Sequence, residues 1–219
     1  MDQIAVVIPV CNGGESFKLT IDSINKSTKE NIKFIFIESE STDGTAEFCD
    51  KLAESDSERY CVFHTPKEGL ITAINTGIKN AGERDVLLTQ DDVIYQKLYT
   101  RDWLKEMKDL SKLGNIGLVT VLNGGGVSGP SYLDKLRWVG TWCVYIPRRI
   151  INEIGLFDEN FNPGCGDDID YSYRIQRVGL VIQAINYWVD HHRANDHFND
   201  TEDLRTKHAL YFRKKWGLK

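Results

Sequence analysis

The stretch Ile4-Ala5-Val6-Val7-Ile8-Pro9-Val10 constrains the fold more than any other part of the chain. It is an unbroken, largely β-branched apolar run. A strand apolar on both faces is typical of the interior of a parallel sheet. Asn12-Gly13-Gly14 ends it, and Phe17, Ile21 and Ile24 then recur at helical spacing. The pattern repeats. Lys33–Ile37 reads as a second strand, followed by the polar loop Glu38–Gly44. Asp43 or Thr42 is placed there to cap a helix whose apolar face holds Phe48 and Leu52. Tyr60–His64 reads as a third strand, and Gly69 opens a helix carrying Ile71, Ile74 and Ile78. Asp85–Thr89 is a fourth strand, which runs into Gln90-Asp91-Asp92. Three strand-then-helix units in under 100 residues predict an α/β protein with a parallel sheet and right-handed crossovers. No G-x-G-x-x-G follows the first strand, so the dinucleotide-binding variety does not fit.

The second half changes character. Trp103, Met107 and Leu110 mark a helix, and Ile116–Leu122 a strand. Asn123–Pro130 is a glycine-rich segment without the Gly-Lys-Ser/Thr of a P-loop, so it reads as a connector rather than a phosphate cradle. Trp138–Ile146 reads as one strand containing Trp138 and Trp142, and Arg148–Ile154 as a short helix. Gly166-Asp167-Asp168-Ile169-Asp170 opens a helix carrying Ile169, Tyr173 and Val178. Val181–Val189 reads as a last strand, ending at Asp190-His191-His192, and Thr201–Trp216 as a helix.

The chain has 219 residues, enough for one large α/β domain. The expected division is a nucleotide-binding half at 1–95, a second half of the same domain at 96–200, and a C-terminal helix at 201–219. A net charge of −5 argues against nucleic acid as partner. Arg213, Lys214, Lys215 and Lys219 form a local basic cluster, which reads as a solvated helix face. No run is long and apolar enough for an integral membrane segment. Five cysteines without metal-like pairing suit reduced thiols and a cytoplasmic location.

Four polar clusters follow predicted strands or start a helix: Glu38–Asp43, Gln90–Asp92, Gly166–Asp170 and His191–His192. Each has a plain explanation of its own. Asp91 and Asp92 suit a solvated turn, and Asp167, Asp168 and Asp170 suit the positive end of a helix dipole. Either histidine suits a structural core position as well as a metal. Together they carry more, because strand ends on one edge of such a sheet converge on a single crevice. Adjacent acids there repel one another unless a cation intervenes, and hard divalent cations are commonly shared between carboxylates and substrate phosphates.

In these residues the chain resembles the family 2 glycosyltransferases, over roughly residues 3–192. Val6–Asn12 resembles the opening strand and Ile37–Thr45 the nucleotide loop of that family. Gly69, Ala73, Asn75 and Gly77 fit its G-x-x-x-A-x-N-x-G helix. Gln90-Asp91-Asp92 falls on the D-x-D motif, Gly155–Glu159 on the Gly-x-Phe-Asp-Glu segment, and Asp167–Asp170 on the Glu-Asp-x-Asp motif.

The resemblance implies a GT-A type single domain: a mainly parallel central sheet flanked by helices, with a smaller acceptor-side subregion. It implies an inverting transfer from a UDP-, GDP- or dTDP-linked sugar to a glycan or glycoconjugate hydroxyl, assisted by Mg²⁺ or Mn²⁺. Asp168 would be the catalytic base, with Asp167, Asp170, Trp138 and Trp142 on the acceptor side. Pro9, Val10, Asn12, Glu38, Gly69, Asn75, Gln90 and Asp91 would bind the nucleotide; Asp92 and His191 would bind the metal, with His192 the alternative to His191. Two departures stand out. Glu38 is one methylene longer than the usual Asp, and Gln90 replaces the first acid of D-x-D, which predicts weaker metal binding. The rival readings are a nucleotidyltransferase, which would need a basic residue where Glu15 follows Gly13-Gly14, and an inactive sugar-nucleotide or glycan-binding module.

Overall fold

The computed structural model describes residues 3–98, 100–126, 136–192 and 201–218. The first four strands are β1 (Ile4–Val10), β2 (Ile32–Ser39), β3 (Tyr60–Thr65) and β4 (Val86–Thr89). Helices α1 (Gly14–Ser27), α2 (Thr45–Ser55) and α3 (Leu70–Asn80) connect them. There follow β5 (Val93–Tyr95), α4 (Trp103–Ser111), β6 (Ile116–Val121), β7 (Gly125–Gly126), β8 (Trp138–Val139), β9 (Cys143–Ile146) and α5 (Arg148–Ile154). A 3₁₀ turn at Glu159–Phe161 leads to α6 (Asp167–Arg177), β10 (Val181–Ile185), β11 (Val189–His191) and α7 (Glu202–Trp216).

Seven strands form one sheet in the order β10-β6-β9-β4-β1-β2-β3. All neighbours pair in parallel except β9, which runs antiparallel between β4 and β6. The sheet is thus mixed but mainly parallel. The order reverses at β1 and β4, so their carboxyl ends flank the crevice where such sheets bind ligands.

Strand alternation divides the core in two. Ile4, Val6, Ile8 and Val10 face one layer, built with Phe17, Cys49, Trp103 and Met107 from α1, α2 and α4. Ala5 and Val7 face the other, with Ile74, Ile150, Ile175 and Phe212 from α3, α5, α6 and α7. Gly77 lets α3 lie close on the sheet, since a Cβ there would come 2.3 Å from Val7 Cγ1. None of the cysteines is bridged.

Several boundaries differ from the sequence expectation. The strand expected over Trp138–Ile146 is broken at Gly140-Thr141-Trp142: the Gly140 N–H donates to Gly124 O (2.7 Å) and the Trp142 carbonyl accepts from the Thr89 hydroxyl (2.9 Å). The strand expected over Val181–Val189 leaves the main sheet after Ile185, and its continuation pairs antiparallel with β5 as a separate two-stranded sheet. Val178 is the exposed C-cap of α6, which buries Tyr171, Ser172 and Ile175 instead. Lys215 is not a solvated member of a basic face but an internal ion-pair partner. Val127–Pro130 of the glycine-rich connector lie outside the described residues.

Candidate active site

A cleft of about 650 Å³ opens at the crevice. The end of β1 supplies Pro9, Val10 and Cys11 to its wall, and Gln90, Asp91 and Asp92 follow directly from β4. Facing them are Asp167 and Asp168 from the first turn of α6, Trp138 and Trp142 around the β8–β9 connection, and His191 at the end of β11. Gly69 lines the cleft before α3; it has φ +107°, and a Cβ there would lie 2.5 Å from Asn162 Oδ1, so a side chain would collide with the segment that seats the helix. Asn162 Oδ1 accepts the N–H of Ile71 at 3.0 Å, which ties α3 to that segment.

The acids after β4 have positive surroundings. Asp91 lies against the amino end of α1, where a Cβ at Gly13 would be 3.1 Å from Asp91 Oδ2; helix amino ends favour anions. His191 Nε2 stands 3.2 Å from Asp92 Oδ1. The β5–β11 ladder creates that encounter: His191 pairs with Val93, next to Asp92, and the His192 N–H donates to Asp92 O (3.0 Å). Trp103, stacked between Tyr95 and Tyr187 at 4.5 and 5.4 Å, buttresses the small sheet. Trp142 stacks on His191 (5.4 Å) and meets Trp138 edge to face (6.3 Å). His191 thus faces the cleft, while His192 is exposed outside it.

The acids of α6 also sit at a helix amino end. Gly166, at φ +93°, turns the chain into the helix without a side-chain cap, and Asp167, Asp168 and Asp170 fill the first turn. Burial raises the Asp167 carboxyl well above the ordinary range, and the adjacent Asp168 charge adds to it. Burial lifts Asp168 to about 6, against backbone N–H bonds that pull it down. A carboxylate at about 6 is a far better proton acceptor at neutral pH than an ordinary one.

Four expected site residues have hydrogen-bond partners within the protein. Asn75 does not line the cleft; its amide exchanges hydrogen bonds with the Phe157 backbone (3.0 and 2.9 Å) and donates to Glu159 (2.9 Å), so it joins α3 to the segment before α6. Asp170 is fully buried and turned away, accepting from Arg174, Lys215 and Trp216. Asn12 braces the loop after β2 by accepting the Thr42 N–H at 2.7 Å. Glu38 is buried beside the cleft, with Oε1 on the Ser41 N–H (2.6 Å) and Oε2 on His64 Nδ1 (2.7 Å). Burial would raise the Glu38 carboxyl, but these hydrogen bonds outweigh it and hold it low. Neither Asp43 nor Thr42 is the N-cap of α2: Gly44 takes that position, at φ +89° and with no side-chain cap, while Asp43 just before it accepts the Thr45 N–H at 3.0 Å.

Ser39, Lys67, Thr141, Cys165 and Arg205 also line the cleft. Their residue types carry no motif, and Arg205 arrives on α7, far along the chain. Cys165 has the one detectable signal of this group only in three dimensions, a φ of +76° that is uncommon outside glycine.

A divalent cation would find Asp92 and His191 together at the cleft wall with Asp91 adjacent. Among the described residues no cluster of three or more His, Cys, Asp or Glu side chains is arranged to enclose one. The donor set fits an ion shared with substrate phosphates and water, which is how small hard cations are commonly held.

The model of glycosyl transferase family 2 matches residues 5–157, and the chain belongs to that family. It is 34% identical over 200 residues to an uncharacterised glycosyltransferase of Rickettsia typhi, covering 81% of this chain and 60% of the relative. It is 30% identical over 202 residues to one of Rickettsia felis, covering 81% of this chain and 32% of the relative. The chain therefore spans between about a third and three fifths of these relatives.

Solved structures agree on the architecture. A Pyrobaculum calidifontis mannosyltransferase in complex with GDP-Man and Mn²⁺ superposes with a TM-score of 0.66, at 18% identity, covering 84% of this chain and 54% of that one. GalNAc-T7 with UDP, GalNAc and Mn²⁺ superposes at 0.79, with 16% identity, covering 97% of this chain and 47% of that one. These likenesses establish the GT-A fold. No helix among the described residues is long and apolar enough to cross a membrane.

Proposed function

We propose that the chain carries an inverting glycosyltransferase activity, moving a sugar from a nucleoside-diphosphate sugar to a hydroxyl of a glycan or glycoconjugate. The observation that carries this reading is the single cleft that joins Asp91, Asp92 and His191 on one side to the raised carboxyl of Asp168 on the other. The base and ribose would sit by Pro9, Val10, Asn12 and Glu38. Asp92 and His191 would hold Mg²⁺ or Mn²⁺, which when bound supplies charge neutralisation to the leaving diphosphate. Gln90 offers an amide oxygen and no charge, so cation affinity should fall below that of a three-acid site. Mn²⁺ and GDP- or UDP-linked ligands in the structural neighbours support the class of donor and cofactor.

Asp168 takes the proton of the acceptor hydroxyl as that oxygen bonds to the anomeric carbon. The bond from that carbon to the diphosphate oxygen breaks, and the diphosphate leaves with the electron pair. Configuration inverts because attack and departure lie on opposite faces. Asp167 orients the acceptor or Asp168, and Trp138 and Trp142 offer apolar faces for sugar rings.

The test is to incubate the protein with Mn²⁺ and a panel of UDP-, GDP- and dTDP-sugars and to assay free nucleoside diphosphate. Release with at least one donor, abolished in Asp168→Asn when an acceptor is present, is the expected result. Binding of nucleotide sugars without release or transfer across donors and acceptors would instead mark a binding module.

A further inference from the structure

Resting on the glycosyltransferase reading above, we infer that Lys215 and Trp216 of α7 are positioning residues for the base-bearing turn of α6, acting through Asp170. Asp170 has no exposed surface and yet is surrounded by donors. Lys215 Nζ stands 2.8 Å from its Oδ1 and Trp216 Nε1 donates to the same oxygen at 2.9 Å, while Arg174 Nε donates to Oδ2 at 3.0 Å. Lys215 also reaches Asp158 Oδ2 at 2.7 Å, an oxygen that accepts from the Tyr211 hydroxyl at 2.8 Å. One ammonium therefore fastens α7 to α6 and to the Asp158 segment together.

Simple helix packing does not require this. Acids in a helix first turn are served by the dipole and solvent, whereas a charge buried at this depth demands compensation. Asp170 lies two residues after Asp168 and three after Asp167, so its anchoring fixes the height and rotation of that turn in the cleft wall. His208 reinforces the placement, with Nδ1 2.8 Å from Cys165 O just before α6.

The arrangement also sets the local charge. Asp168 is surrounded by Asp167 and Asp170 on its own helix, and by Asp91, Asp92, His191, Lys67 and Arg205 across and around the cleft. Asp170 sees Arg174, Lys215 and, through Lys215, Asp158. Removing the Lys215 charge leaves more uncompensated negative charge two residues from Asp168, which makes its carboxylate harder to form.

The experiment compares wild type with Lys215→Met, Lys215→Arg, Trp216→Phe and Tyr211→Phe. For each, the pH profile of transfer, the donor Kd and the Asp168 titration by side-chain carboxyl ¹³C NMR are measured, with Asp168→Asn assigning the resonance. Lys215→Met should lower transfer at neutral pH about tenfold and move the acidic limb and the NMR midpoint upward by about half a unit or more, with donor Kd unchanged. Lys215→Arg should restore both, Trp216→Phe should give a smaller shift of the same sign, and Tyr211→Phe should lose stability without moving either midpoint. An unmoved Asp168 midpoint in Lys215→Met overturns the inference, and if that variant fails to fold, an unmoved midpoint in Trp216→Phe does so. The NMR measurement decides even if wild type transfers no sugar, an outcome that would defeat the glycosyltransferase reading separately.

Discussion

Two pairs of adjacent aspartates line one cleft, and their partners differ. Asp91-Asp92 ends a strand, lies against the amino end of α1 and meets an imidazole at 3.2 Å. Asp167-Asp168 begins a helix; burial raises both carboxyls, and the Asp168 charge raises Asp167 further. The same dipeptide thus suits two chemistries. On the proposed function the first pair would share a cation with the donor diphosphate, and Asp168 of the second would serve as a base whose proton affinity approaches neutrality.

The largest effect should follow from neutralising the second pair. Asp168→Asn should reduce transfer by about 10²–10⁴-fold, the usual contribution of a general base, and leave donor affinity intact. Equal turnover would erase the distinction between the pairs. Next, Asp92→Ala should weaken Mn²⁺-dependent nucleotide binding by on the order of a hundredfold, because a cation contributes several kcal/mol at such a site. Calorimetry with and without Mn²⁺ checks this; His191→Ala should lose less, and His192→Ala should match wild type.

The pH dependence of the second pair comes third. Asp168 rises from 3.8 to about 6, so transfer should fall about tenfold per unit below pH 6. Stability runs the other way. A carboxyl whose folded pKa is raised adds stability that is complete below its ordinary pKa and lost as pH rises through the folded value. Asp167→Asn should therefore raise the melting temperature at pH 7.5 more than at pH 4, by about 2–4 °C for each kcal/mol relieved. A gain confined to low pH would mean that Asp167 is ionised in the folded protein. The smallest functional effect is expected at Asn75. Asn75→Ala should cost about 1–3 kcal/mol of stability by leaving buried partners unsatisfied, yet leave nucleotide affinity unchanged in the same calorimetric assay.

Much of the first half was legible because one rule governs it: strands apolar on both faces alternate with helices apolar on one. Ile4–Val10 appears with the expected ends, and the acids after β4 fall in the expected crevice. The second half resists that rule. Val93–Tyr95 is too short to carry a period, and its partner Val189–His191 is found only after the chain leaves the main sheet. That pairing selects His191 over His192, a choice that residue type alone leaves open. Asn75 and Asp170 fit a family pattern, but sequence position does not reveal which way a side chain turns. Arg205 and Lys67 enter the cleft from elements whose placement depends on the whole fold.

Strand β9 has a consequence for how the chain is made. It pairs with both β4 and β6, yet it is the last of the three to leave the ribosome. Until Cys143–Ile146 emerges, the growing chain presents β4 as a bare edge beside an otherwise complete set of β1, β2 and β3. Such edges recruit other strands, and long-range pairing of this kind is slow to form. The interval between synthesis of β4 and of β9 is thus when this protein is most exposed to misassociation, and translation speed or chaperone supply in that window should govern its yield more than the stability of the finished fold.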